Sequence, residues 1–396
     1  MEHTQIIRSL LDTDLYKFTM QQTVYHQFPQ ARDVKYNFKC RTKGVNLQKF
    51  IAEINKEIDH LCSLKFSEDE LSYLGSLRYM KPDYIDFLRL FHFQRQHINV
   101  VAIENSEEEI DILIHGPWLY TILYEVYVLS IINEVYFRNT VTDHTENLVE
   151  ARQRLMNKIS FVKSNTNDEF KFSDFGTRRR YSRDWHEEVV QTLHSHLPNN
   201  FTGTSNVYFA MKYNLTPIGT MAHEYLQACQ SLGPRLRDSQ KFALEKWVQE
   251  YRGDLGIALT DVIGLDAFIA DFDLYFCKLF DGVRHDSGEP VAWGERFLEH
   301  YKQMKIDART KSFVFSDGLD MPKAIELHNH FNGRVKTFFG IGTNLTNDTN
   351  YKALNIVLKI TECNGSPVAK LSDSVGKTMC KDENYLTYLK EVFHKK

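Results

Sequence analysis

The sequence predicts an α/β protein in which parallel strands with helical crossovers form a barrel, and three observations carry that reading. First, from about residue 140 onward, helical stretches at 142–158, 182–197, 220–231 and 239–251 alternate with short strand-like runs. The runs are Ser173–Gly176, Val207–Met211, Gly256–Leu259, Gly282–Arg284, Ser312–Phe315, Lys336–Phe339 and Asn355–Ile360. Such alternation implies parallel strands joined by helices. Second, the runs are bounded by small, polar or glycine-containing turns, including Phe175-Gly-Thr-Arg, Gly203-Thr-Ser-Asn, Asp286-Ser-Gly, Ser316-Asp-Gly and Gly340-Ile-Gly-Thr. Most of these turns follow a strand, and the carboxyl ends of parallel strands are where such folds place their chemistry. Third, no solenoid repeat, low-complexity tract or flexible linker interrupts the pattern. An open doubly wound sheet also fits the alternation; the recurring turns favour the barrel.

The first part of the chain reads differently. Val34–Cys40 alternates as a strand does, and Ile110–Ile114 reads as another. Leu47, Phe50, Ile51, Ile54, Ile58 and Leu61 recur at the spacing of an amphipathic helix. Ser67–Phe93 is similar, with Pro82 just inside a helix start. The most hydrophobic segment, Trp118–Phe137, is interrupted by Glu125, Asn133 and Glu134. Mid-span carboxylates are costly in lipid, so this segment reads as a buried helix and not as a membrane span. The expected division is a smaller α+β domain over 1–138 and an α/β barrel over 139–360. The tail 361–396 is expected to pack back on the first domain.

A chain of 396 residues makes two domains the default. The formal net charge of −4 leaves no basic field to hold nucleic acid. Any anion site must be local. The six cysteines, at 40, 62, 229, 277, 363 and 380, form no CxxC and no zinc-like spacing, which suits a reducing compartment. The N-terminal residues have no basic stretch followed by an apolar one, so no signal peptide is expected and the cytoplasm is the expected location.

Four constellations could carry chemistry. Arg178, Arg179 and Arg180 follow Phe175-Gly-Thr directly after a strand, and three consecutive arginines cannot all face a core. Arginine's planar fork suits phosphate or carboxylate. Residue type alone leaves an anion site and a solvated loop equal; the preceding glycine, which lets backbone N–H groups approach a ligand, tips the balance toward the anion. In Pro217-Ile-Gly-Thr-Met-Ala-His223, Thr220 is the expected helix N-cap, which puts His223 in the first turn. The positive end of a helix biases imidazole toward its neutral, nucleophilic form and welcomes an anion beside it. A single histidine among sixteen is ordinarily structural, but this one has a polar, glycine-rich neighbourhood. Arg284, Asp286, Ser287 and Gly288 follow one strand, and Asp317 and Gly318 follow the next. Acids at successive strand ends suit ribose, diphosphate or Mg2+ contacts. Gly340, Gly342 and Thr343 form a glycine-rich turn after a late strand, a common phosphate seat.

In their joint order these pieces resemble the nicotinate phosphoribosyltransferase family. The motifs are LLDTDLYKFTM (10–20), FGTRRR (175–180), GTSNV (203–207), PIGTMAHEY (217–225), RHDSG (284–288), FSDGLD (315–320) and FGIGTNL (339–345). The resemblance implies an irregular α/β barrel of the type II phosphoribosyltransferase kind, with a smaller α+β N-terminal domain joined by the C-terminal tail. It implies an ATP-hydrolysing, ligase-type enzyme that joins nicotinate to the phosphoribosyl group of phosphoribosyl diphosphate in NAD salvage. It also implies Mg2+, a homodimer and an active site near the subunit interface.

By the same resemblance, His223 would be transiently phosphorylated by ATP, and Asp286 would serve catalysis while holding phosphoribosyl diphosphate; Asp261, at the end of the strand-like run 257–260, is the candidate to orient the imidazole. Phosphoribosyl diphosphate and the pyridine would be bound by Tyr16, Phe175, Arg178, Thr204, Ser205, Arg284, Ser287, Asp317, Gly318, Gly340, Gly342 and Thr343. Tyr16 would border the ring, from its own or a neighbouring subunit. Ser205 stands where a relative preferring the amide carries an acid, and a hydroxyl there would tolerate the nicotinate carboxylate. The rival readings are a phosphoribosyltransferase for another pyridine and a silent ligand-binding sensor; His223, the strand-end acids and the arginine run count against the sensor.

Overall fold

The computed structural model describes residues 4–371, 380 and 382–394; the parts of the tail outside these ranges lie beyond the described residues. Two sheets organise the chain. The antiparallel one is built from β1 (Val34–Cys40), β2 (Ile98–Ala102), β3 (Ile110–Gly116), β12 (Ile356–Cys363) and β13 (Ser366–Pro367), in the order β13-β12-β1-β3-β2. The parallel one contains β4 (Phe172–Asp174), β5 (Phe201–Thr204), β6 (Thr216–Pro217), β8 (Ile257–Leu259), β9 (Gly282–His285), β10 (Ser312–Phe315) and β11 (Lys336–Ile341), in the order β6-β5-β4-β11-β10-β9-β8. A further short strand, β7 (Arg252–Leu255), precedes β8 and joins neither order.

The parallel sheet curls into an irregular barrel. Its edge strands, β6 and β8, share no ladder, and the Thr220 hydroxyl crosses between them by donating to the Ile257 carbonyl at 3.0 Å. Aromatic side chains fill the layer between the sheet and its helices: Phe313 of β10 lies against Trp293 at 5.0 Å and Phe331 at 5.7 Å, and the Phe315 ring stacks on Phe339 of β11 at 5.6 Å. Burying rings of this size is a major driving force for packing the helices onto the sheet.

Two strand-like runs have other fates. Val207–Met211 is helical, within Val207–Tyr213: the Asn206 side chain accepts from the Phe209 N–H at 3.1 Å, and Asn214 ends the helix in the left-handed region at φ 52°. The cap and the stop override the β preference of Val-Tyr-Phe. The run 355–360, placed in the barrel by the alternation, belongs to β12, which pairs antiparallel with β1 from Val34↔Cys363 to Cys40↔Ile356. Alternation along the chain cannot tell which sheet receives a strand. The last helix, Glu383–Val392, sends the Tyr385 hydroxyl to Gln230 at 2.9 Å, so it packs beside the helix His223–Leu232.

The segment Trp118–Phe137 becomes a short turn of helix, Trp118–Thr121, and the buried helix Tyr124–Thr140. The polar residues within it serve the loop after β4. Ser130 donates to the Thr177 carbonyl at 2.9 Å and Asn133 to the Arg178 carbonyl at 3.2 Å, while Glu134 accepts the Arg183 N–H at 2.8 Å. These buried polar groups thereby fix the backbone of the loop, although the Asn133 side-chain oxygen has no partner among the described residues. Among the described residues no helix is long and apolar enough to cross a membrane.

Candidate active site

The loops at the carboxyl ends of the parallel strands are stitched to one another around a single mouth. Thr346 donates to the Gly176 carbonyl at 3.0 Å, and Asn344 to the Leu319 carbonyl at 2.7 Å. Ser316 donates to Asp286 at 2.9 Å, and Ser287 to Asp261 at 2.6 Å. The Arg284 guanidinium donates to the Met221 carbonyl at 3.0 Å, and its buried Nε has no partner among the described residues. These bonds run from β4 through β11, β10 and β9 to β8, so the motifs scattered along the sequence become neighbours.

His223 opens the helix His223–Leu232, with Ala222 at the cap and no side chain capping it. Thr220, the expected cap, instead spends its hydroxyl on β8. The first-turn N–H groups therefore keep their positive end uncapped by any side chain. Nε2 of His223 lies 2.7 Å from Asp261 Oδ1 and 2.7 Å from Lys370 Nζ, with Asp286 Oδ2 at 3.5 Å. The ammonium of Lys370 also lies 2.6 Å from Asp261 Oδ2. Nε2 cannot both donate and accept. Lys370 already has Asp261 Oδ2, whereas Asp261 Oδ1 would face a bare ring nitrogen if Nε2 carried no proton. The assignment that satisfies most groups puts the proton on Nε2 and leaves the lone pair on Nδ1. Burial, reinforced by Lys370, holds the His223 pKa below its ordinary value of 6.5 against the pull of Asp261. Both causes favour the neutral ring. Despite its burial, the Asp261 carboxyl is held well below the usual range by His223 and Lys370.

Lys370 carries no motif and was not among the sequence candidates. Its neighbours deliver it: the Leu371 N–H donates to the Val262 carbonyl at 2.6 Å, and the Ala369 N–H to Gln230 at 2.9 Å. The one signal in the sequence is a lysine inside the apolar Val368-Ala-Lys-Leu. Its ammonium contacts two members of the trio His223, Asp261 and Asp286, whose ligand atoms lie within 4.8 Å of one another, so a cation of the protein itself already stands beside them.

The three arginines separate cleanly. Arg180 is fully buried and forms a two-pronged pair with Asp12, at 2.6 and 2.8 Å. Arg179 donates to the Ile356 carbonyl at 2.9 Å, tying the loop to β12. Arg178 stays exposed, with Glu125 at 3.8 Å. It belongs to a cationic wall. Burial together with Arg178 and Arg41 pushes Arg179 down to about 9, and burial together with Lys370, Arg41 and Arg178 pushes Lys359 of β12 down to about 8. Cations that depress one another lack sufficient acids of their own and attract an anion.

The remaining candidates fall into two groups. Asp317, Gly318, Gly342 and Thr343 stay wholly or partly exposed, and Gly318 takes φ +60°, which favours glycine. Phe175 is partly exposed and lies against Gly340, where an added Cβ would meet its ring at 2.2 Å. Tyr16 lies beside the Gly219 backbone; burial and the carboxylates of Glu125 and Asp14 push its phenol well up, while Arg178 opposes them. Thr204, Ser205 and Ser287 are instead buried, with their hydroxyls spent inside the protein. Thr204 donates to Asp174 at 2.6 Å, Ser205 to Asp14 at 2.7 Å, and Ser287 to Asp261. The Ser205 hydroxyl thus already sits against an acid, Asp14, which the sequence reading did not single out.

A parallel barrel with a histidine, strand-end acids, glycine turns and an exposed arginine at its carboxyl mouth defines a type II phosphoribosyltransferase fold. Residues 170–396 match the nicotinate phosphoribosyltransferase (NAPRTase) family, and residues 11–133 match its N-terminal domain. The chain is 58% identical over 388 residues to the nicotinate phosphoribosyltransferase of Ralstonia pickettii, spanning 98% of this chain and 99% of the relative. It is 60% identical over 389 residues to that of Xylella fastidiosa, spanning 98% of each. The crystal structure of nicotinate phosphoribosyltransferase from Vibrio cholerae superposes with a TM-score of 0.93 at 39% identity, covering 100% of this chain and 95% of that one. The enzyme from Porphyromonas gingivalis gives 0.92 at 32% identity, covering 98% of this chain and 100% of that one. The protein belongs to the nicotinate phosphoribosyltransferase family.

Proposed function

We propose that the protein transfers the phosphoribosyl group of phosphoribosyl diphosphate to nicotinate with the assistance of ATP, through a phosphorylated His223. The observation that carries this reading is the neutral imidazole held by Asp261 and Lys370 beside the cationic wall. In the transfer itself, the pyridine nitrogen forms a bond to ribose C1 as the bond from C1 to the diphosphate oxygen breaks. Diphosphate leaves with the bonding pair. Negative charge grows on the leaving group, and Arg178, Arg284, Lys359 and the N–H groups of the 340–343 turn stand ready to stabilise it. In the ATP step, Nδ1 of His223 attacks the γ-phosphorus and ADP departs. The proton on Nε2 stays on Asp261's side, so the phosphorylated ring remains anchored.

Asp286 and Asp317 offer hard oxygen donors that suit Mg2+, which when bound neutralises diphosphate charge. Phe175 and Tyr16 border the place for the pyridine ring. The same reading carries a cytoplasmic homodimer.

Diphosphate release assayed with nicotinate, phosphoribosyl diphosphate and ATP tests the activity; no release from any pyridine would overturn it. For the intermediate, γ-labelled ATP should leave acid-labile label on the native chain and none on His223→Ala. Label persisting on the variant removes His223 from that role.

A further inference from the structure

A cavity of about 350 Å3 lies between three helices, Tyr124–Thr140, His144–Asn165 and Arg183–His196. The residues that line it are not those of the barrel mouth. Its volume falls within the range of small-molecule sites, about 300–1,000 Å3. Phe137, Tyr181 and Trp185 give it an aromatic wall, with the first two rings 5.1 Å apart. The Tyr181 hydroxyl is engaged with Nδ1 of His144 at 2.6 Å, which leaves the ring as the face it offers.

The ionic groups around the cavity are matched, with one exception. Arg138 donates to Glu53 at 3.0 Å and to the Thr4 carbonyl at 3.1 Å. Arg152 donates to Glu188 at 2.9 Å, and Asp184 pairs with Arg8 at 3.0 Å. Glu134 is the exception. One of its oxygens accepts the Arg183 N–H at 2.8 Å. The other has a single ion-pair partner among the described residues, Arg138 at 3.9 Å, which is beyond hydrogen-bond distance. Burial pushes the Glu134 carboxyl up to about 7, against the pull of Arg180, the Arg183 N–H and Arg138. A carboxyl held in this way gains from a cation brought next to it, and aromatic faces attract cations as well. Glu134, Asp184 and Glu188 also outnumber Arg138 and Arg152 in the lining. No cluster of metal-ligating side chains forms there among the described residues, so the fit is to an organic cation.

We propose that this cavity is a second binding site, which takes a small organic cation, a primary amine or amidine carried on a single ring, with its charge against Glu134 and its ring against Phe137, Tyr181 and Trp185. The site stands apart from the function proposed above and does not depend on it. The carboxylate is the form that binds, so affinity falls as pH drops through about 7. The charged and titratable groups that face Glu134 are Arg138 on its own helix, Arg180, Arg183 and Asp184 after β4, and His144 and Arg152 across the cavity.

Benzamidine is the probe, and benzamide is its uncharged counterpart. Calorimetric titration into the full-length protein at pH 8 should show benzamidine binding at least about tenfold more tightly than benzamide. Benzamidine should bind about tenfold more weakly at pH 6 than at pH 8. Saturating nicotinate should leave these values unchanged. In Glu134→Gln, which keeps the shape of the side chain, both the preference for the cation and the pH dependence should vanish. The native comparisons carry the test if that variant fails to fold. A native protein that binds neither probe, or binds both alike, overturns the proposal. So does displacement of benzamidine by nicotinate, which puts the probe at the barrel mouth. A pH dependence that survives in folded Glu134→Gln belongs to another group, such as His144, and also overturns it.

Discussion

The ammonium of Lys370 lies 2.7 Å from Nε2 of His223. The two residues are 147 positions apart, and the contact makes the protonation of the imidazole depend on a lysine near the end of the chain. Lys370 depresses the histidine's pKa, so removing it lets Asp261 raise that pKa.

The first prediction follows from that sign. A neutral ring is required to accept a phosphoryl group, so the acid limb of the pH–rate profile for His223 phosphorylation should fall below pH 6.5 in the native protein. In Lys370→Met the limb should move to higher pH, with loss of rate at neutral pH. Rapid-quench labelling across pH 5–9 measures it. A limb that stays in place or moves to lower pH refutes the assignment.

A second prediction concerns Asp12 and Arg180. Asp12→Ala leaves a fully buried guanidinium without its carboxylate and should cost about 3–5 kcal/mol in urea unfolding at pH 7. The pair also fixes a pH dependence. Although burial opposes it, Arg180 holds the Asp12 carboxyl below its ordinary 3.8, so the stabilisation is complete above that pH and is lost as pH falls through the lower folded value. Native and variant stabilities should converge in strong acid.

Gly340 gives a third. An alanine there places its Cβ 2.2 Å from the Phe175 ring, which must move. Overpacking of this kind costs about 1–3 kcal/mol. The melting temperature should drop, and KM for nicotinate should rise more than kcat falls, because the ring borders the proposed pyridine site. An unchanged KM would place the pyridine elsewhere.

The fourth concerns pyridine choice. Ser205→Asp would set two carboxylates side by side, since Ser205 already donates to Asp14 at 2.7 Å. Two such acids share a proton and repel a third carboxylate. The ratio of kcat/KM for nicotinamide over nicotinate should rise about tenfold, which corresponds to about 1.4 kcal/mol. An unchanged ratio removes Ser205 from acid discrimination.

What the sequence made legible was local. Glycine turns after strands, the histidine near a helix start and the buried character of Trp118–Phe137 all arise from residues close together, where spacing and turn chemistry speak directly. Asp261 was found because it ends a strand. Lys370 and Asp14 escape such a reading because their roles come from contacts across the fold, and no spacing encodes a partner more than a hundred residues away. The arginine triplet marks the boundary of what pattern can do: three identical side chains go to a buried pair, to a strand carbonyl and to the mouth, and only the packing of Asp12 and β12 decides which goes where.

Strand β12 sits between β1 and β13, and among the described residues β1 has no other partner on that edge. A ribosome that has made the first 340 residues has therefore produced a first domain in which β1 pairs with β3 along one edge and leaves its other edge open. The missing strand emerges together with the lysine that flanks His223. Completion of the architecture and arming of the histidine thus fall within the same few seconds of synthesis, and a nascent chain released early would lack both.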